Sequence, residues 1–212
     1  MAGNTAHISP RLLQPGKNFT GSGWCKMKGK FILVLGGSRS GKSEFAEKIA
    51  ADTNKRVAYI ATAAICDEEM AERARLHQER RPGNWVTVEE KIDVPGVLAK
   101  YGQGDVLLLD CVTVWITNLL LEQQHSDLKS VSMKNEQHIL EQVARISEAV
   151  ENGADLIVVS SEVGLGLIPE YPLGRVFRDL AGKANQLLAS KADIVFLLVA
   201  GIPMEIKSDR QK

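Results

Sequence analysis

Paired cysteines, long apolar runs and a dominant sign of charge are all missing from this 212-residue chain. The three cysteines, Cys25, Cys66 and Cys111, are odd in number and widely spaced. That argues against a disulfide framework and a zinc site and for a reducing compartment, so a cytoplasmic location is the expectation. Lysine plus arginine equals aspartate plus glutamate at 26 each, which leaves no global attraction for nucleic acid or a membrane surface. No stretch approaches the roughly 18 uninterrupted apolar residues of a membrane span. The first residues carry His7, Arg11, Lys17, Lys26 and Lys28 but no apolar core of signal-peptide length, so membrane insertion is not expected. Internal repeats and heptads are lacking too.

What is present begins at Phe31. Residues 1–28 are rich in Gly, Asn, Ser, Thr and Pro and read as a polar, disordered N-terminal extension; residues 29–212 read as one domain, of a size that suits a single core. Within it, short apolar runs at 30–36, 56–61, 85–88, 106–110, 155–160 and 194–199 predict strands. Amphipathic patterns at 42–52, 67–81, 113–124, 134–151 and 173–189 predict helices. The alternation implies an α/β protein with a mostly parallel sheet and helices on both faces. Asp67 is placed to cap the second helix and Pro82-Gly83 to stop it. In the fourth, Ile139, Val143, Ile146 and Val150 share one face.

The segment "LVLGGSRSGKSE" carries the clearest chemistry. Gly36, Gly37, Ser38, Arg39, Ser40, Gly41, Lys42 and Ser43 fit the pattern G-x-x-x-x-G-K-S, set between a predicted strand and a predicted helix. Glycines there let successive N–H groups converge on phosphate oxygens, Lys42 reaches the outer phosphates, and the Ser43 hydroxyl suits magnesium. Arg39 reads equally as a phosphate clamp and as a surface arginine.

Two carboxylates end predicted strands. Asp110 closes "DVLLLD", where open α/β sheets bind ligands; it reads as the magnesium carboxylate or as a cap on the following helix. Glu162 follows "LIVVSS" and precedes a glycine-broken loop. It reads as a magnesium ligand, a group orienting a substrate hydroxyl, or an anchor for its own loop. Arg73, His77 and Arg81 are spaced by four and can share one helical face, where the arginines suit a phosphate and can hold the imidazole neutral; taken alone, His77 reads foremost as an ordinary exposed helix residue. A GTP switch is disfavoured by the lack of an Asn-Lys-x-Asp segment, and a nucleic-acid motor by the short chain without a basic track. A small kinase or nucleotidyl transferase remains.

Several segments carry a family resemblance: "LGGSRSGKSEFAE", "YIATA", "DEEMAERARLHQERRPGNW", "LLLDCVTVWITNLL", "VVSSEVGLGLIPEYPLGRVFRDLAGKANQLLA" and "VAGIPMEIK". Together they resemble the bifunctional adenosylcobinamide kinase and adenosylcobinamide-phosphate guanylyltransferases. The resemblance implies a P-loop NTPase-like (RecA-like) three-layer sandwich and two activities. A nucleoside triphosphate, ATP or GTP, with Mg2+ phosphorylates adenosylcobinamide; GMP from GTP is then carried on a histidine to adenosylcobinamide-phosphate, giving adenosylcobinamide-GDP. It implies His77 as the guanylylated residue, Lys42 and Ser43 at the triphosphate, Asp110 near magnesium, Glu162 in an active-site loop, and a homotrimer. Arg178, Asp179, Asn185 and Gln186 fall in the matching last helix, as a solvated face or in binding or subunit contact. Trp115, Ile116, Leu119 and Leu120 read foremost as core. Narrower alternatives are one activity only, or a nucleotide-gated binding or assembly module in which His77 is incidental.

Overall fold

The computed structural model describes residues 29–63, 68, 72, 75, 78–124 and 133–208, together with Arg11–Leu12. Among the described residues, eight strands form one sheet: β1 (Arg11–Leu12), β2 (Phe31–Gly36), β3 (Arg56–Ala61), β4 (Val86–Glu89), β5 (Asp105–Asp110), β6 (Asp155–Ser161), β7 (Ile194–Val199) and β8 (Ile202–Lys207). Their order is β1-β8-β7-β2-β6-β5-β3-β4, and every pairing from β7 to β4 is parallel. Among the described residues, helices with both ends defined are α1 (Lys42–Asp52), α2 (Val94–Leu98), α3 (Val112–Gln124), α4 (Met133–Arg145), α5 (Glu148–Glu151) and α6 (Pro172–Lys191).

Side chains of a strand alternate between faces, and in the central strands both faces are buried. Ile32, Val34, Val106, Leu108, Ile157 and Val159 point to one side and pack with Ala46, Ile49 and Ala50 of α1. Phe31, Leu33, Leu107, Leu109, Leu156 and Val158 point to the other, against Trp115, Ile116, Leu119 and Leu120 of α3, Ile139 and Val143 of α4 and Leu180, Ala184 and Leu188 of α6. The expected three layers are present, and the Trp115 face of α3 is core. Trp115 adds a hydrogen bond from its indole N–H to the Ile92 carbonyl at 2.9 Å. Phe45 of α1 meets Phe196 of β7 edge to face, with ring centres 5.0 Å apart.

Several local features differ from the sequence reading. The helix expected over 134–151 is two, α4 and α5, separated where Ser147 Oγ turns back to the Ala144 carbonyl at 2.8 Å. Such back-bonding offers the backbone an alternative to helix. α2 was not anticipated, although Asp93 caps it by accepting from the Gly96 N–H at 3.0 Å and Pro95 sits in its first turn. Nor was β8, which folds back antiparallel on β7. The two-residue turn between them has positive φ at Ala200 (51°) and Gly201 (80°), as a tight hairpin requires. Within the N-terminal extension, Arg11 and Leu12 pair with Glu205 and Met204 of β8. Among the described residues no helix is long and apolar enough to cross a membrane.

Candidate active site

The site lies at the carboxyl ends of three adjacent strands. β6 runs between β2 and β5, so Gly36, Glu162 and Asp110 arrive side by side at one edge of the sheet. Open parallel sheets present their ligand crevice there.

The loop after β2 is shaped by a left-handed glycine and a buried lysine. Gly41, the residue before α1, has φ 89°, a left-handed conformation that glycine adopts without strain. It lets the chain turn into α1, and the Phe45 N–H bonds the Gly41 carbonyl at 3.0 Å. Gly37, Ser38 and Arg39 are exposed, Ser43 is half-buried, and Lys42 is buried. The Lys42 ammonium donates to the Gly37 carbonyl at 2.6 Å, spanning the mouth of the loop. Burial lowers its pKa, while nearby Cys111 and Asp110 partly offset that effect. Ser40 Oγ is buried without a hydrogen-bond partner. A desolvated cation and an orphaned hydroxyl in one loop, beside the amino end of α1, fit a phosphate. Arg39 has φ 55° and stands exposed on the loop.

Asp110 ends β5 on the α1 side of the sheet, continuing the alternation of Val106 and Leu108. Its Oδ2 accepts from the Tyr59 hydroxyl at 2.8 Å. Tyr59 is almost fully buried, and desolvation, followed by the Asp110 charge, pushes its pKa far up, so the phenol remains a donor. Over the Tyr59 ring lies the Arg81 guanidinium, 3.3 Å from the ring centre. Arg81 also donates to Thr87 Oγ1 at 3.2 Å and lies 3.8 Å from Glu47 Oε1, an ion pair without a hydrogen bond. Its side chain is only 7% exposed, so the expected phosphate-facing arginine is folded against the sheet. Next to Asp110, Thr62 Oγ1 takes the Cys111 N–H at 2.9 Å and returns its proton to the Cys111 carbonyl at 2.8 Å.

Glu162 is half-buried and held from three directions. Its N–H donates to the Gly36 carbonyl at 2.9 Å, its Oε1 accepts from the Gly164 N–H at 3.1 Å, and its Oε2 from Asn185 Nδ2 at 3.4 Å. Anchoring of its own loop, one of the readings above, is therefore present. Asn185 is buried, not solvated: it also donates to the Ser161 carbonyl at 3.1 Å and accepts from Ser160 Oγ at 2.6 Å. Beyond Glu162 the loop exposes Leu165, Leu167, Ile168 and, at its end, Tyr171.

Arg73 and His77 lie outside the described residues, as do Cys25 and Cys66. Residues 68, 72, 75, 78 and 79 are helical, within the span expected for the second helix. Arg75 there pairs with Glu72 at 2.7 Å and with Glu79. Tyr59 carries no site signal in the sequence, whereas Asn185 reads there either as solvated face or as a binding or contact residue. Asn185 had a signal: it falls in phase with Ala181, Ala184 and Leu188, so a polar side chain interrupts the buried stripe of α6.

Among the described residues no three His, Cys, Asp or Glu side chains cluster into a metal cage. Magnesium in nucleotide enzymes does not need one, since water and substrate phosphates supply most of its ligands. The Ser43 hydroxyl and the Asp110 carboxylate are hard oxygen donors that fit that role.

Sheet order, phosphate loop and strand-end carboxylates define a P-loop NTPase-like α/β protein. Solved structures agree on the fold: an ATP synthase subunit NeqB from Nanoarcheaum equitans has a TM-score of 0.56 at 15% identity, over 81% of this chain and 46% of that one. A type III secretion system ATPase of pathogenic bacteria has a TM-score of 0.52 at 10% identity, over 79% and 50% of the two chains. The family model for cobinamide kinase / cobinamide phosphate guanyltransferase matches residues 32–206. Curated relatives are the bifunctional adenosylcobalamin biosynthesis proteins CobU of Escherichia coli, 41% identical over 83% of this chain and 99% of its own length, and CobP of Pseudomonas aeruginosa, 39% identical over 84% and 97%. The chain belongs to the cobinamide kinase / cobinamide phosphate guanyltransferase family and is a bifunctional enzyme of adenosylcobalamin biosynthesis.

Proposed function

We propose that two transfers run in sequence in the crevice outside β2, β6 and β5. In the first, the γ-phosphoryl group of ATP or GTP passes to the aminopropanol hydroxyl of adenosylcobinamide: the bond to the β-phosphate oxygen breaks, a bond to the hydroxyl oxygen forms, and the hydroxyl proton is released. The phosphate-loop amides and Lys42 hold the triphosphate, and Glu162 orients the hydroxyl. Ser43 and Asp110 would hold magnesium, which would supply charge neutralisation on the phosphates.

In the second, the His77 imidazole attacks the α-phosphorus of GTP and pyrophosphate leaves. An oxygen of adenosylcobinamide-phosphate then attacks the histidine-bound phosphorus. The phosphorus–nitrogen bond breaks, its electron pair returns to the ring, and adenosylcobinamide-GDP is released. Arg73, one helical turn before His77, belongs to the same phosphate-binding set, while Arg81 stays stacked on Tyr59. The observation that carries this reading is the convergence of Gly36, Glu162 and Asp110 on neighbouring strand ends beside the buried Lys42. A homotrimer in the cytoplasm is part of it, and the exposed Leu165, Leu167, Ile168 and Tyr171 offer an apolar surface for a neighbouring subunit.

The test follows the two transfers separately, with label in the γ-phosphate of ATP and in the α-phosphate of GTP. Lys42→Ala is expected to slow both by about 10²–10³-fold, the usual loss when a charge-stabilising group is removed. His77→Ala is expected to spare the first and abolish the second. Retention of both by His77→Ala would contradict the covalent route.

A further inference from the structure

Tyr59 joins two parts of the proposed site, yet neither transfer assigns it a role. It lies in β3 with 3% of its surface exposed, and its side chain shares the α1 side of the sheet with Val106 and Leu108. β3 is the direct neighbour of β5, with Tyr59 opposite Leu108. The ring therefore runs toward the edge where Asp110 stands, and its hydroxyl reaches Asp110 Oδ2 at 2.8 Å. Buried tyrosine hydroxyls commonly find a partner. Here the partner is the carboxylate at the ligand edge, and the ring carries the Arg81 guanidinium on its face.

We propose that Tyr59 is a positioning residue for the magnesium–nucleotide complex: its hydroxyl fixes the Asp110 carboxylate and leaves the second carboxylate oxygen for the ion's water shell. Without the hydroxyl, Asp110 is free to rotate, and the ion loses an ordered partner while the phosphate loop is untouched. Magnesium dependence is then the property affected, not nucleotide binding as such. The proposal rests on the reading of Asp110 as the magnesium carboxylate, and the controls separate the two.

The experiment titrates magnesium into the full chain and follows binding of a GTP analogue with a methylene bridge between its α- and β-phosphates, which His77 cannot cleave. Tyr59→Phe keeps the ring and its stack on Arg81. Its affinity without magnesium is expected within about two-fold of the parent, and its half-saturating magnesium concentration about 10-fold higher, as for loss of a hydrogen bond to a charged group. Asp110→Asn is expected to raise that concentration at least as far, and Tyr59→Phe added to Asp110→Asn to change nothing further, because the two act through one contact. Parental magnesium dependence in Tyr59→Phe, with loss in Asp110→Asn, would overturn the role of Tyr59 and leave that of Asp110 standing. Parental dependence in Asp110→Asn would overturn the Asp110 reading and the proposal together. Equal weakening of Tyr59→Phe with and without magnesium, at a lower melting temperature, would assign Tyr59 to packing and overturn the proposal.

Discussion

The Glu162 amide donates to the Gly36 carbonyl at 2.9 Å. Through that bond the start of the Glu162 loop is fixed to the start of the phosphate loop, one strand apart. The carboxylate and the loop amides thus share one hydrogen-bonded base.

Gly36 is the tightest point of that base. A Cβ there would lie 2.6 Å from the Leu198 carbonyl oxygen and 2.6 Å from Ser40 Oγ, and its φ is 154°. Gly36→Ala is expected to destabilise the fold by about 1–3 kcal/mol and to abolish the nucleotide-induced rise in melting temperature. Gly182 is the control, since nothing lies within 4 Å of a Cβ placed there in α6. Gly182→Ala is expected to stabilise the fold by roughly 0.5–1 kcal/mol through lower backbone entropy, read from denaturant unfolding.

Lys42 is a partly desolvated cation, with its pKa lowered by burial. Replacing it with an apolar chain of similar length removes that cost. Lys42→Met is expected to raise the melting temperature of the nucleotide-free protein by about 2–4 °C, the shift for ~1 kcal/mol in a chain of this size, and to eliminate nucleotide binding. Calorimetry with and without GTP reads both effects.

Asn185 brackets the end of β6, with Ser160 Oγ donating to its Oδ1 at 2.6 Å inside the core. Asn185→Leu strands that hydroxyl, and a loss of about 1–3 kcal/mol is expected. Adding Ser160→Ala is expected to recover part of it. A double-mutant cycle showing simple additivity would contradict the coupling.

At the opposite edge of the sheet, the Arg56 side chain donates to Asp105 Oδ1 at 2.7 Å, and that bond holds the carboxyl below its usual pKa. A depressed carboxyl stabilises the fold fully above its unfolded value of about 3.9, and the contribution fades as pH falls through the lower folded value. Asp105→Asn is therefore expected to be less stable than the parent at pH 7, with the difference shrinking below about pH 4. Urea unfolding at several pH values checks it.

The phosphate loop was legible because its constraint is local: a fixed spacing of glycines, lysine and serine dictates one turn between a strand and a helix. Asp110 and Glu162 were legible as strand ends for a similar reason. Their adjacency was not, since the place of β6 between β2 and β5 is set by long crossovers that no local pattern encodes. Tyr59 looked like one more apolar strand residue, because its neighbour Asp110 is 51 positions away in the sequence. β8 was obscured by Pro203, which an outer strand tolerates better than a central one. The orientation of Arg81 was not legible, because it depends on the Tyr59 face it covers.

Covalent carriage of GMP on His77 is tested most directly by the intact mass of the protein after incubation with GTP and magnesium. The expected result is a gain of one GMP in the parent, lost in acid and retained in base as a phosphoramidate is, and no gain in His77→Ala. An unchanged parent mass despite bound GTP, or an adduct that persists in His77→Ala, would contradict it.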